Sequence, residues 1–426
     1  MSRPDALLLE TSAEGAPLDG ATLARRSGGF SSRAKATLIF LWKYLAGIAL
    51  CQNAVGSVLV VGWTYRLAQR SVRKQWWKAS RARDDGTSFD EFLRSAEPRN
   101  LRWPNWIVRP PPPMPSPTGG GLRVGARSRF CAGAGLIKKV RLVNSCLLGS
   151  LGANAKVGAQ AILNTWVLTL PACAAWLVAW YDGWNNSFNK GYEQAAVGPA
   201  TGLFGVALFI AAMFYVPMAQ ARQASTGSWR SFYQFRLIWG LIARNRLKCL
   251  GLAALYFVIS LPVTVLKTAP VSFEQAFPRV GAMTDAEVLE FANTYFFWAA
   301  AAVFPCYVLV HVAAARIYAK ALIVAVRDCR IAPSDLAPDE AHCLAALNLL
   351  EQRPRPLAPL VVRAAGRGAS LTIGTALLAA TAAVWFGFVA QIFISEFLNY
   401  HPVVGWLNQP LVQLPWFHYV PGHLTP

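Results

Sequence analysis

Three groups of residues in this chain have chemistry beyond packing. Lys43 lies inside an apolar run, 37–64. An ionisable group in such a run is a functional candidate by default, although a lysine near the run's edge can snorkel its ammonium to an interface. Gln52 and Asn53 share that run, and Asn164 and Thr165 sit in a second one, 159–181. Their amides and hydroxyls could line a polar cavity, but such groups also glue apolar helices together. His401, His418 and His423 share the tail, and imidazoles bind transition metals. Their spacing fits no metal motif, so no metal and no cofactor is expected. No Walker loop, HExxH or GxSxG is present, and "GAGLIKK" at 133–139 lacks phosphate-loop spacing. With so few catalytic groups, the expected protein is not an enzyme.

Four prolines interrupt apolar runs. "VLTLPACA" carries Pro171 and "VISLPVTV" carries Pro262; "MFYVPMAQAR" carries Pro217 and "AVFPCYVLVHVAAAR" carries Pro305. Pro262 follows Pro171 by 91 residues, and Pro305 follows Pro217 by 88. Arg222 and Arg316 follow the later proline of each pair. The pattern predicts a duplicated helical hairpin of about 90 residues, the two copies parallel. Proline removes a backbone donor and clashes with the carbonyl four residues back, so it kinks a helix. Thr169 and Ser260, each two residues before a proline, are expected to offer a hydroxyl to the freed carbonyl. The kinked core either packs statically or opens a midplane cavity.

The elements that must carry these residues are apolar. Of 426 residues, 54% are hydrophobic and only 15% charged; a soluble domain averages about 25% charged. Six runs are long enough to cross a bilayer: 37–64, 159–181, 199–219, 249–266, 292–315 and 371–395. The fold class expected is an all-α integral membrane protein of about six transmembrane helices with a duplicated kinked-hairpin core. The first run is either a single crossing, the preferred reading, or a re-entrant pair broken at Cys51–Asn53. The 35 residues before it lack the apolar stretch of a signal peptide.

The net charge of +20 would suit nucleic acid, but its placement matches membrane topology instead, and no nucleic-acid partner is expected. Segments 65–158, 220–248 and 316–370 hold 18, 6 and 8 Lys and Arg; 182–198 holds 1, 267–291 holds 2 and the tail none. Positive loops stay inside. The chain is therefore expected in the plasma (inner) membrane as a multi-pass protein, its C-terminus outside. The cysteines (51, 131, 146, 173, 249, 306, 329 and 343) avoid every segment assigned outside and form no CxxC, so neither a disulfide framework nor a zinc ribbon is expected.

The expected organisation runs from a tail, 1–36, into the first membrane segment, 37–64. A basic cytoplasmic loop, 65–158, contains the linker "RPPPPMPSPTGGG", 109–121, a spacer or a ligand for a protein groove. Four core helices span 159–315, a cytoplasmic helical segment 316–370, the last span 371–396, and an aromatic external tail 397–426. Tyr65, Ala68, Val72 and Trp76 make an apolar helical stripe beside the basic Arg66, Arg70, Arg73 and Lys74. In 229–248, Trp229, Phe232, Phe235, Trp239 and Ile242 face opposite Arg230, Arg244 and Lys248. Such a helix suits anionic lipid headgroups. "APDEAHCLAALNLLEQRP" predicts a short helix with acids in its first turn.

Gly56–Arg70, "GSVLVVGWTYRLAQR", and Tyr215–Asn245, "YVPMAQARQASTGSWRSFYQFRLIWGLIARN", resemble a group of uncharacterised prokaryotic multi-span proteins, a domain of unknown function. The resemblance covers about a third of the chain and implies no activity or binding residue. The function expected is that of a non-enzymatic scaffold or accessory subunit; the alternative is a transporter or channel with a midplane cavity.

Overall fold

The computed structural model describes residues 37–80, 86–96, 131–181, 197–273, 277–351 and 360–384, with residue 34 and positions 406, 409, 411, 412, 414 and 415. The chain forms two compact units, Met1–Ala46 and Gly47–Pro426. The linker 109–121 and the three tail histidines fall outside the described residues.

Among the described residues the structure is helical, without strands. In chain order, α1 is Thr37–Leu50, α2 is Ala54–Ala79, α3 is Phe89–Ala96 and α4 is Cys131–Val178. Then come α5 (Val197–Thr226), α6 (Phe235–Arg244), α7 (Arg246–Thr268), α8 (Asp285–Arg327), α9 (Pro338–Ala346) and α10 (Leu360–Val384). Among the described residues, four stretches are long and apolar enough to cross a membrane: Leu148–Tyr181, Val197–Thr226, Arg246–Val263 and Asp285–Arg327. They lie in α4, α5, α7 and α8. The last expected span, 371–395, is described only to residue 384. Helix α4 has 48 residues. At 1.5 Å per residue it is about 70 Å long, well beyond a hydrocarbon core of roughly 30 Å.

The first apolar run is not one helix. It breaks at Cys51–Asn53, and Asn53 caps α2: its Oδ1 accepts the Gly56 N–H at 2.6 Å. An asparagine at a helix start satisfies one of the orphan N–H groups there. The run therefore forms two helices, α1 and α2, divided where the re-entrant reading placed its break.

Helix α2 is the centre of the larger unit, packed by α4, α5 and α8. The stripe Tyr65, Ala68, Val72 and Trp76 is buried as expected. Arg73 is buried too, at 1% exposure, and so departs from the basic face. The α2–α4 contact depends on glycine. A side chain at Gly62 would strike the Asn154 carbonyl, and one at Gly158 the Val58 carbonyl, so the backbones meet directly.

Helices α4 and α5 form an antiparallel hairpin, since Asn164 meets Gln223 while Trp176 meets Phe209. Helices α7 and α8 form another: Tyr295 donates to the Leu266 carbonyl while Tyr256 stacks near His311. Helix α8 begins with a capping box, the Glu287 carboxylate accepting the Thr284 N–H at 2.7 Å.

The segment 229–248 is not one amphipathic helix either. A 3-10 turn, Trp229–Tyr233, precedes α6, and α7 begins after Asn245. The break at Gln234 rotates the pattern. Phe232, Ile238, Leu241 and Ile242 turn inward, while Trp229, Phe235 and Trp239 stay 42–46% exposed.

Candidate functional site

The most polar buried cluster lies where α5 and α8 reach α9. Each participant has a local reason for its place. "MAQARQAST" surrounds Arg222 with small residues, letting neighbouring helices close over it. Pro338 opens α9 at its first turn, and Asp339 and Glu340 come next, where carboxylates suit the helix dipole. Arg222 is 0% and Glu340 1% exposed, and they pair at 3.0 Å. Tyr318 donates to Glu340 Oε1 at 2.7 Å and accepts from Arg222 Nη1 at 2.8 Å. Ser225 donates to the same Oε1 at 2.7 Å, and Arg222 Nε donates to Gln234. A buried ion pair needs good geometry and further hydrogen bonds; Tyr318, Ser225 and Gln234 supply them here, while Arg222 Nη2 has no partner among the described residues. Beside it, Arg73 donates to Cys343 Sγ at 3.1 Å.

A second line of polar groups runs down the α4–α5 contact. Asn164 donates to Gln223 Oε1 and to the Trp229 carbonyl, and accepts from the Tyr233 hydroxyl at 3.1 Å. Burial raises the Tyr233 phenol above its usual range, so it remains the donor. Gln220 donates to Thr165 Oγ1 at 3.0 Å. Thr169 donates to Gln409 of the tail.

A small cavity of about 40 Å³ lies between α7 and α8, lined by Ser260, Tyr256, Tyr307 and His311 among others. His311 is buried; Nδ1 contacts the Tyr307 carbonyl at 2.8 Å, and Nε2 has no hydrogen-bond partner among the described residues. Water needs about 10–15 Å³ of such volume, so the space suits a few waters and no larger solute.

Within the larger unit, the residues singled out in the sequence line no common pocket among the described residues. Asn164 and Thr169 join different partners on the α4 seam, and Ser260 faces the small cavity. Asn53 is an exposed helix cap rather than a cavity wall. Lys43 belongs to the other unit and is half-buried on α1. Pro171, Pro262 and Pro305 are exposed, whereas Pro217 is buried; three of the four therefore turn away from the bundle interior.

The hydroxyls do not serve the prolines as expected. Thr169 Oγ1 lies within hydrogen-bond reach of the Thr165 and Trp166 carbonyls as well as Gln409, and Ser260 donates to the Phe257 carbonyl. The carbonyls freed by Pro171 and Pro262 belong to Val167 and Val258. A helical Cβ points toward the N-terminus, so a hydroxyl reaches three or four residues back, not two.

Sequence reasoning missed the Arg222–Glu340 pair and His311. For Arg222 the usable signal was its flanking alanines and serine. For His311 it was a lone imidazole in the middle of an apolar run. None of the six cysteines with described side chains forms a disulfide, and no group of three or more His, Cys, Asp or Glu among the described residues could hold a metal. No family model, curated protein or solved structure matches this chain.

Proposed function

We propose that this is a non-catalytic integral membrane scaffold or accessory subunit. The reading includes about six spans with a duplicated hairpin core and residence in the plasma (inner) membrane. The basic end faces the cytoplasm and the C-terminus faces outside. The observation that carries it is the cross-braced node of Arg222, Glu340, Tyr318 and Ser225, which ties α9 to two membrane helices. Such a node makes the basic face rigid, as a docking platform requires. The space between α7 and α8, about 40 Å³, is far below the roughly 300–1,000 Å³ of a ligand pocket. The two antiparallel hairpins, each with a proline inside both helices, support the duplication. Membership of the uncharacterised multi-span group belongs to the same proposal, as does a protein partner at 109–121.

The experiment is reconstitution of the full chain in sealed proteoliposomes loaded with ion-sensitive dyes and small labelled solutes. Passive vesicles that behave as protein-free controls are expected. Reproducible flux abolished by His311→Ala would replace the scaffold with the transporter reading, which the orphan Nε2 of His311 favours.

A further inference from the structure

The scaffold reading leaves a wide groove unused. It is a groove of about 1290 Å³ between the Trp229–Tyr233 turn, α6 and the turn that enters α9. Four arginines line it, Arg230, Arg236, Arg244 and Arg330, against one carboxylate, Asp335. Positive loop charge alone would scatter cations over a surface; here the fold gathers them in one concave site.

Their states differ. Arg244 is paired with Asp328, and Arg230 lies over the Trp229 ring at 5.7 Å. Arg236 and Arg330 are exposed and carry no ion pair among the described residues. Hydroxyls of Ser228, Ser231 and Ser334 share the wall. Guanidinium forks and hydroxyls together suit the oxygens of a phosphate.

The walls are well anchored. Tyr215 donates to the Phe232 carbonyl at 2.6 Å and stacks on Phe235 at 5.0 Å. Ile331 and Leu336 are buried on the opposite side. Beside the groove, the exposed rings of Trp229, Phe235 and Trp239 make an aromatic rim of the kind found at headgroup depth.

We propose that this groove binds the phosphate headgroup of an anionic lipid, with the acyl chains lying along the exposed aromatic rim. The inference rests on the membrane reading and goes further in naming a ligand class and a site. The chemistry is that of a phosphomonoester, which a free phosphate shares; the rim argues for the lipid.

The test uses the full chain purified in detergent, with dioctanoyl phosphatidic acid as the lipid probe. Dioctanoyl phosphatidylcholine and glycerol 3-phosphate are the controls. Bound lipid is counted by native mass spectrometry, and membrane insertion is checked separately by alkaline extraction of membranes. Retention of phosphatidic acid at least tenfold above either control is expected. It should fall at least tenfold in Arg236→Gln/Arg330→Gln and stay unchanged in Arg316→Gln/Lys320→Gln, whose residues are exposed on α8 outside the groove. Equal binding of glycerol 3-phosphate, equal loss in both double variants, or no retention would each overturn the proposal. If the chain inserts yet retains no lipid, only this inference fails; if it does not insert, the membrane reading fails with it.

Discussion

At the scale of single residues, the decisive fact is that Arg222 and Glu340 are buried together. Taking two charges out of water is expensive, and their attraction offsets that only while both are present. Glu340→Gln leaves the Arg222 guanidinium without its counter-charge. We expect a loss of about 3–5 kcal/mol in stability, measured by unfolding in mixed micelles. Arg222→Met/Glu340→Leu removes both charges and should recover most of that loss. If the single variant unfolds like the parent, the pair does not hold α9 in place. Arg222 follows Pro217 by 5 residues and Arg316 follows Pro305 by 11; Arg222 is fully buried and Arg316 exposed.

At the scale of elements, small residues and outward prolines shape the bundle. Helices α2 and α4 touch backbone to backbone at Gly62 and Gly158. Gly158→Leu must force them apart, costing about 1–3 kcal/mol by overpacking. The expected readout is a lower thermal midpoint with earlier protease cleavage in the loops. Pro262→Ala acts differently. Its side chain is exposed, so little packing is lost, and the restored backbone donor should leave stability unchanged or raised. A collapse on that substitution would mean that the bend itself sets the α7–α8 contact.

At the scale of the whole molecule, the charge distribution predicts an orientation. Single cysteines placed near residues 190 and 410 should react with a membrane-impermeant maleimide added to intact cells, relative to the parent chain. Those near 120 and 340 should react only after the membrane is opened. The reverse pattern would turn the basic groove and the Arg222 node to the outside. Loss of the protein from membranes at alkaline pH would remove the spans altogether.

Composition and periodicity were enough to establish an all-helical chain with membrane-length apolar segments. Both are averages over many residues, and no single contact can reverse them. The stripe Tyr65, Ala68, Val72 and Trp76 was legible for the same reason, as was the acidic start of α9. What surrounds each residue was decided only in three dimensions. The choice between one helix and two at Cys51–Asn53 was left open by the sequence, and the turn at Gln234 split the aromatic face, burying Phe232 and Ile242 while Trp239 stays exposed. Arg73 and Arg222 read as solvated bases in the sequence because the groups that cover them are far away in the chain; Glu340 lies 118 residues beyond Arg222. Burial and charge pairing belong to the packed neighbourhood, and that neighbourhood forms only when distant helices meet.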